Sequence, residues 1–149
     1  MSDKPVTYQK SKFKMEWDVA LCDCCSACVV CCSLKHFSEV HRSKAGIRLD
    51  LNYNLGKYTP TFCRQCDAPS CVQACRLGAC YVDEATGIRK IDMDECVGCK
   101  RCMKSCPFDA IVYLEEEEVC FKCDLCDGES TCRQQCPSRA ITITTSKKK

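Results

Sequence analysis

Cysteine is the residue type that gives this chain its chemistry, because twenty of its 149 residues are cysteine. Sixteen of them form four groups of four, and each group starts with two cysteines separated by two residues. The groups are Cys22, Cys25, Cys28 and Cys32; Cys63, Cys66, Cys71 and Cys75; Cys96, Cys99, Cys102 and Cys106; and Cys123, Cys126, Cys132 and Cys136. Thiolates bind soft metals, and three of them within seven to ten residues can wrap one face of an iron–sulfur cube.

The spacing within the groups favours iron–sulfur clusters over zinc. The third group reads C-x2-C-x2-C-x3-C-P, which is the bacterial ferredoxin run. Its last cysteine lies one helical turn beyond the third, so it points toward a neighbouring cluster and motifs work in pairs. Zinc ribbons pair two C-x2-C units across a long gap and have no use for a third cysteine at this spacing. Four motifs therefore predict four 4Fe–4S clusters.

The start of the chain bears on compartment and hence on disulfides. The stretch MSDKPVTYQKSKFKMEW is polar and basic, without the apolar core of a signal peptide. No run approaches the ~18 apolar residues of a membrane helix. We therefore expect a cytoplasmic protein without a membrane span. Thiols stay reduced there, which argues against a disulfide scaffold.

Composition and charge exclude other classes. Only 7% of residues are aromatic, and the hydrophobic fraction of 46% counts the cysteines. An ordinary core is therefore unavailable, which disfavours a Rossmann enzyme, a helical bundle or a β-sandwich. The formal charge of +2 gives no case for nucleic acid. Four clusters of about −2 each would bring the loaded protein to about −6.

Four cysteines remain outside the groups: Cys24, Cys31, Cys80 and Cys120. Alignment of the repeats gives each a structural place; Cys80, for example, falls where the other repeats have Ile111 and Ile141. One alternative stays open at this point. Cys120 could replace Cys126 as a ligand, although this needs an eight-residue gap before Cys132, and we favour Cys126.

The elements that must position these cysteines are short, so we expect an α+β, loop-rich fold in a single domain, 1–149. An alanine four residues after the last cysteine of three groups (Ala79, Ala110, Ala140) precedes a predicted strand. The predicted elements in chain order are an extended arm, 1–14; a strand, 15–21; a short helix, 28–37; a strand, 46–51, followed by a loop; hairpins, 81–91 and 111–121; a strand, 141–144; and a basic tail, 146–149. The four glutamates at 115–118 are predicted to form an exposed turn rather than a cation site.

Four segments carry a family resemblance that covers roughly residues 15–145. They are CDCCSACVVCCSLKHF, CRQCDAPSCVQAC, IDMDECVGCKRCMKSCPFDAI and KCDLC…CRQQCP. They resemble the four-cluster, ferredoxin-type electron-transfer subunits of anaerobic oxidoreductases, such as those of formate dehydrogenase and carbon monoxide dehydrogenase systems. The resemblance implies two ferredoxin-like halves fused in one domain. The outer motifs, 22–32 and 123–136, would pair, as would the inner motifs, 63–75 and 96–106. Arg76 and Ser33 stand where a proline often follows the fourth cysteine, which puts only local turn geometry in doubt.

The pairing in that family also implies which cysteines share each cluster. Cluster 1 would be held by Cys22, Cys25, Cys28 and Cys136; cluster 2 by Cys123, Cys126, Cys132 and Cys32; cluster 3 by Cys63, Cys66, Cys71 and Cys106; and cluster 4 by Cys96, Cys99, Cys102 and Cys75. All sixteen ligands are then used. No open metal position or catalytic constellation remains, so we expect no enzyme activity from this chain by itself.

The implied function is a relay that moves single electrons to or from a catalytic oxidoreductase subunit and other electron carriers. The phrases SLKH, RQC and KCDLC are similar to those of small subunits that accompany tungsten enzymes of the aldehyde oxidoreductase and benzoyl-CoA reductase types. That similarity implies a tungsten-pterin partner. The alternative is a free soluble polyferredoxin. His36 replaces the repeat alanine, and we expect it to have a packing or surface role rather than a role in proton-coupled transfer.

Overall fold

The fold consists of four short helices and eight short strands, seen in a computed structural model that describes residues 8–52, 54 and 57–145. The strands are β1 (Phe13–Trp17), β2 (Arg48–Asn52), β3 (Lys57–Thr61), β4 (Cys80–Val82), β5 (Arg89–Ile91), β6 (Ile111–Leu114), β7 (Val119–Lys122) and β8 (Ile141–Thr145). The helices are α1 (Ala27–Phe37), α2 (Ser70–Ala74), α3 (Arg101–Ser105) and α4 (Thr131–Gln135), and short 3-10 turns span Arg42–Lys44 and Leu125–Gly128. The α+β class is confirmed. No helix within the described ranges has the length and apolar character needed to cross a membrane.

The strands pair as four antiparallel two-stranded sheets. Three are hairpins of consecutive strands, β2–β3, β4–β5 and β6–β7. The fourth joins β1 to β8, with Trp17 opposite Ile141 and Phe13 opposite Thr145. A two-stranded sheet is only marginally stable alone. These sheets therefore need the packed cysteine loops between them to persist.

Three of the helices stop at the fourth cysteine of a motif. Cys75, Cys106 and Cys136 are the residues that end α2, α3 and α4, and all three have extended backbone angles. Pro107 and Pro137 follow two of them and disfavour helical geometry in the residue before. In the first motif Ser33 replaces proline, and the eleven-residue α1 continues past Cys32 to Phe37. This departure from the repeat carries His36 onto a helix.

The core is built largely from cysteine and small aliphatic side chains, as the composition predicts. Within the described ranges, the main cluster of buried residues has five cysteines and ten other apolar residues: Met15, Val29, Ala45, Ile47, Leu49, Phe62, Ile88, Ala110, Leu125 and Ile141. Its largest aromatic contact is Trp17 stacked on Phe62, with ring centroids 5.9 Å apart. Cysteine thiols line the space beside these apolar side chains, and the candidate metal centre lies there.

Several element boundaries differ from the predictions. The first strand ends at Trp17 rather than Leu21, because Asp18 starts a turn in which its Oδ1 accepts from Ala20 N at 2.9 Å. The segment after β2 was predicted to be a loop, but it contains β3, with Pro60 opposite Leu49. Both predicted hairpins and the last strand are confirmed.

The predicted terminal segments lie partly outside the description. Residues 1–7 and 146–149 fall outside the described ranges. Residues 8–12 are irregular, and the Lys12 backbone N–H donates to Thr86 O at 3.0 Å. The glutamate turn at 115–118 is present, and two of its carboxylates, those of Glu116 and Glu117, contact the ammonium of Lys44.

Candidate metal centre

Each cysteine motif contains the same backbone turn. The residue before the second cysteine has a positive φ in all four motifs: 55° at Cys24, 49° at Gln65, 70° at Gly98 and 55° at Leu125. This left-handed conformation is costly for residues other than glycine. It turns backbone N–H groups inward, and Cys24 N lies 3.4 Å from Cys22 Sγ. Such concave sets of N–H groups stabilise anions, so the turn suits sulfur ligands that carry negative charge.

The fourth cysteine of the inner motifs also accepts a backbone hydrogen bond. Cys80 N donates to Cys75 Sγ at 3.3 Å, and Ala110 N donates to Cys106 Sγ at 3.5 Å. In the first motif the equivalent donor comes from a distant residue, since Gly46 N lies 3.3 Å from Cys32 Sγ. A side chain at Gly46 would meet the backbone of Cys123, with its Cβ 2.7 Å from Cys123 N. Glycine therefore permits the close approach that brings Cys32 and Cys123 together.

Two cavities are lined by the inner motifs. One, of about 240 Å³, is lined by four predicted ligands of one cluster, Cys75, Cys96, Cys99 and Cys102. The other, of about 60 Å³, is lined by Cys63, Cys66, Cys71 and Cys106. Each cavity thus mixes three thiols of one motif with the fourth thiol of the other. The helices that carry these cysteines, α2 and α3, pack against each other.

The outer motifs meet through α1 and α4, which also pack against each other. Burial raises the pKa of Cys32 to about 11, and the neighbouring Cys126 thiol adds to that rise. Burial likewise raises the pKa of Cys123, with the thiols of Cys132 and Cys32 among its neighbours. The thiols that influence one another in this way include the four predicted for cluster 2.

The ligands predicted for cluster 1 come from the first motif and from the end of α4. Burial raises the pKa of Cys28 to about 12, and the nearby thiols of Cys22 and Cys25 contribute to that rise. Cys136 comes from α4, and its Sγ lies 3.6 Å from Ser138 Oγ. Among these ligands Cys25 is exposed, as is Cys99 in the inner pair of motifs.

The donor set fits 4Fe–4S clusters. Each site has thiols from a tight loop and backbone N–H groups aimed at sulfur. A buried thiol with a raised pKa, such as that of Cys28 or Cys32, is protonated at neutral pH unless a metal displaces the proton. Zinc would need only four of these sixteen thiols in a closed tetrahedron. The shared cavities instead match the pairing of motifs that two-cluster ferredoxins use.

The four cysteines outside the motifs lie beside the predicted ligands. Cys80 and Cys120 are 2% and 1% exposed and lie in the wall of the 240 Å³ cavity. A hydrogen bond from the Cys80 thiol lowers the pKa of Cys71, and one from the Cys120 thiol lowers the pKa of Cys102. Cys24 occupies the left-handed turn, and Cys31 Sγ lies 3.3 Å from Cys28 O.

Other side chains that reach the sites include Lys122, Gln65, Arg89 and His36, and the sequence pattern gives no clear signal for the first three. Lys122 Nζ lies 3.4 Å from Cys71 Sγ, and Gln65 Nε2 lies 3.6 Å from Cys63 Sγ. Arg89 Nε donates to Cys66 O at 2.9 Å. His36, the fourth, was singled out because it breaks the repeat. Its Nε2 lies 3.7 Å from Cys126 Sγ and 3.4 Å from Asp124 Oδ1.

Burial and charge act oppositely on Lys122. Burial works to lower the pKa of its ammonium group, but the thiols of Cys63, Cys80 and Cys71 outweigh that effect and raise it to about 12. For His36, a side-chain hydrogen bond with Cys126 raises the pKa of the imidazole, against the effect of burial. Both side chains therefore favour negative charge on the cysteines they contact.

Known proteins resemble this chain over most of its length. Protein NrfC of Escherichia coli strain K12 is 27% identical over 147 residues, covering 89% of this chain and 65% of NrfC. The NADH-dependent phenylglyoxylate dehydrogenase subunit beta of Aromatoleum evansii is 34% identical over 131 residues, covering 84% of this chain and 28% of that protein. The chain therefore spans less than two thirds of either relative.

A solved structure has the same fold. One chain from the active site complex BamBC of benzoyl coenzyme A reductase matches with a TM-score of 0.57 and 18% identity, covering 95% of this chain and 83% of that chain. The family model for the 4Fe-4S dicluster domain matches residues 55–146, which include the second, third and fourth cysteine motifs. Because that match takes in more than half of the sequence, the chain belongs to the 4Fe-4S dicluster domain family.

Proposed function

We propose that this chain is the electron-transfer subunit of an oxidoreductase complex and relays single electrons through four 4Fe–4S clusters. When bound, each cluster takes up and releases one electron at a time. The chain supplies the ligands, keeps water away and sets charge around the sulfurs. The observation that carries the proposal is the sharing of cavities, since thiols of two different motifs line each inner cavity.

The shared cavities support the proposed ligand sets of clusters 3 and 4, whereas those of clusters 1 and 2 rest on the family resemblance and on the packing of α1 against α4. Cluster 3 is held by Cys63, Cys66, Cys71 and Cys106, and cluster 4 by Cys96, Cys99, Cys102 and Cys75. Cluster 2 is held by Cys123, Cys126, Cys132 and Cys32, and cluster 1 by Cys22, Cys25, Cys28 and Cys136. The packing of α1 on α4 and of α2 on α3 supports two ferredoxin-like halves within one domain, 1–149.

The order of the relay follows from the contacts between the motifs. The second and fourth motifs meet at Gln65, whose Nε2 lies 3.6 Å from Cys63 Sγ and 3.3 Å from Cys123 O, and this contact supports placing proposed clusters 2 and 3 side by side at the centre. Clusters 1 and 4 are then the ends. Both ends have an exposed ligand, Cys25 or Cys99. Electrons enter or leave at those two places.

The proposed partner at one end is a cytoplasmic catalytic subunit that carries tungsten-pterin. Its support is the resemblance of the SLKH, RQC and KCDLC segments to small subunits of tungsten enzymes. A free polyferredoxin is the competing proposal for the same clusters. The two differ in whether a large subunit stays attached during purification.

The test is anaerobic purification of the tagged chain from its native host. We expect about sixteen irons per chain and a broad absorbance at about 400 nm, which is typical of such clusters. We also expect a large subunit that contains tungsten to purify with the chain in a stoichiometric amount. Colourless protein without iron would overturn the relay. A monodisperse, iron-loaded monomer would overturn the attached subunit in favour of the free carrier, and a partner without tungsten would overturn only its identity.

A further inference from the structure

A lysine is buried beside the proposed cluster 3 without a carboxylate partner. Lys122 ends β7 with 1% of its surface exposed. Across the described ranges its ammonium forms no ion pair with an acidic side chain, and its hydrogen-bond acceptor is Cys71 Sγ at 3.4 Å. Buried charges are normally paired, because an unpaired one loses its hydration without compensation. The position therefore requires an anion that the side chains alone do not supply.

A second buried cation lies in the same wall. Arg89 is 0% exposed, and its guanidinium donates to the backbone carbonyls of Cys66, Gly87 and Asp67. Both Arg89 and Lys122 line the cavity formed by the cluster 3 thiols. Arg89 donates to the loop that carries Cys66, and Lys122 donates to Cys71 Sγ, so both charges stay close to the cluster 3 thiols.

The cavity proposed for cluster 4 differs in this respect. Its three basic side chains, Arg76, Lys100 and Arg101, are all exposed. Water screens exposed charges strongly, whereas a buried charge acts through a medium of lower dielectric constant. The two inner sites therefore have the same ligands but a very different fixed charge.

We propose that Lys122, together with Arg89, makes cluster 3 easier to reduce than cluster 4. An electron shared by these two clusters then resides mostly on cluster 3, in the middle of the proposed relay. The proposal rests on the ligand sets proposed above. Reduction adds one negative charge to the cluster, from about −2 to about −3, and that electron comes from the neighbouring cluster. A fixed positive charge 3.4 Å from a ligand sulfur stabilises the reduced form more than the oxidised one. Lys122 keeps its proton throughout.

The test is a redox titration of the full iron-loaded chain followed by electron paramagnetic resonance. In Lys122→Met we expect the equilibrium constant for reduction of one cluster to fall at least tenfold, which is about 59 mV for one electron. Lys122→Arg keeps the charge and should leave that potential close to wild type. Lys104→Met removes an exposed lysine of α3 and serves as the matched control for charge, with a smaller shift expected.

The outcomes separate this inference from the function it rests on. A wild-type chain without clusters overturns the proposed function, whereas four clusters with unchanged potentials in Lys122→Met overturn the inference alone. If Lys122→Met loses about four irons, Lys122→Gln provides a second neutral variant of similar length. If that variant also loses them, the wild-type titration decides. In the wild-type chain, the cluster that both variants lack must then have the higher reduction potential of the inner pair. A lower potential for that cluster overturns the inference.

Discussion

Gln65 Nε2 lies 3.3 Å from the carbonyl oxygen of Cys123, and this contact joins the turn of the second motif to the start of the fourth. The other end of the same amide accepts from Arg89 N at 2.7 Å. Gln65 is 1% exposed, so water cannot take over either contact. A single side chain thus links the segments that carry proposed clusters 2 and 3.

Replacing Gln65 by Met should destabilise the loaded protein. The change leaves the Arg89 N–H and the Cys123 carbonyl without these partners, and a buried unpaired polar group costs about 1–3 kcal/mol. The measurement is the guanidinium concentration at which cluster absorbance is lost under anaerobic conditions. Gln135→Met, at an exposed position of α4, is the control. Equal midpoints for the two variants would contradict the linking role of Gln65.

Gly98 should tolerate no side chain, although Gly78 has nearly the same backbone angle. Their φ values are +70° and +71°, but a Cβ at Gly98 would overlap the Glu118 carbonyl, whereas one at Gly78 meets nothing within 4 Å. Both alanine variants carry about 1–2 kcal/mol of left-handed strain. Gly98→Ala adds about 1–3 kcal/mol for overpacking.

The consequence for Gly98→Ala is a displaced loop between Cys96 and Cys99. We expect it to hold about four fewer irons than wild type or to release them at lower denaturant, as measured by iron analysis. Gly78→Ala should keep all its irons. If Gly98→Ala and Gly78→Ala lose iron to the same extent, left-handed strain alone explains the effect of the alanine. The close approach of Gly98 to Glu118 then has no role.

Lys44 and three glutamates form a pH-sensitive contact between the segment after α1 and the β6–β7 turn. Lys44 Nζ lies 2.5 Å from Glu39, 2.8 Å from Glu116 and 2.9 Å from Glu117. A hydrogen bond from Lys44 lowers the pKa of Glu116 below its ordinary 4.5, and the carboxylates, that of Glu116 first, raise the pKa of Lys44 above 10.5.

The signs define the window in which this contact stabilises the fold. The lowered pKa of Glu116 gives stability that is present above pH 4.5 and lost as the pH falls through its folded value. The raised pKa of Lys44 gives stability that is present below pH 10.5 and lost as the pH rises through its folded value. Lys44→Met should therefore lower the thermal midpoint at neutral pH, and the difference from wild type should shrink as the pH falls below 4.5. The exposed Lys104→Met should show no such pH-dependent difference.

The sequence predicts the metal chemistry better than the environment of the metal. Cysteine spacing is a local signal, and both hairpins follow from turn residues between short apolar runs. The burial of Lys122 and Arg89 could not be predicted, since charged residues are normally exposed unless paired. β3 was missed because Pro60 in a segment rich in asparagine and glycine indicates a loop, although proline fits an edge strand. The place of Gln65 depends on contacts distant in sequence, which no local pattern contains.

The choice between Cys120 and Cys126 as a ligand leads to opposite predictions for two serine variants. Cys120 N lies 3.4 Å from Cys96 Sγ, so Cys120 is next to proposed cluster 4 rather than cluster 2. Cys126, in contrast, adds to the rise that burial causes in the pKa of Cys32 and of Cys132, so it lies near the cluster 2 thiols. Serine is a poor replacement for a thiolate ligand to iron, but it can fill the space of a small buried thiol.

Cys126→Ser should therefore lose about four irons, the content of one cluster, while Cys120→Ser should keep the wild-type iron content. Cys80→Ser is the matched control, because Cys80 is buried in the same cavity wall as Cys120. Iron analysis and the number of paramagnetic signals after reduction provide two independent readouts. Loss of iron from Cys120→Ser but not from Cys80→Ser would reverse the assignment. Cys120 would then be a ligand, and cluster 2 would have to form across a longer loop than the one seen between Cys126 and Cys132.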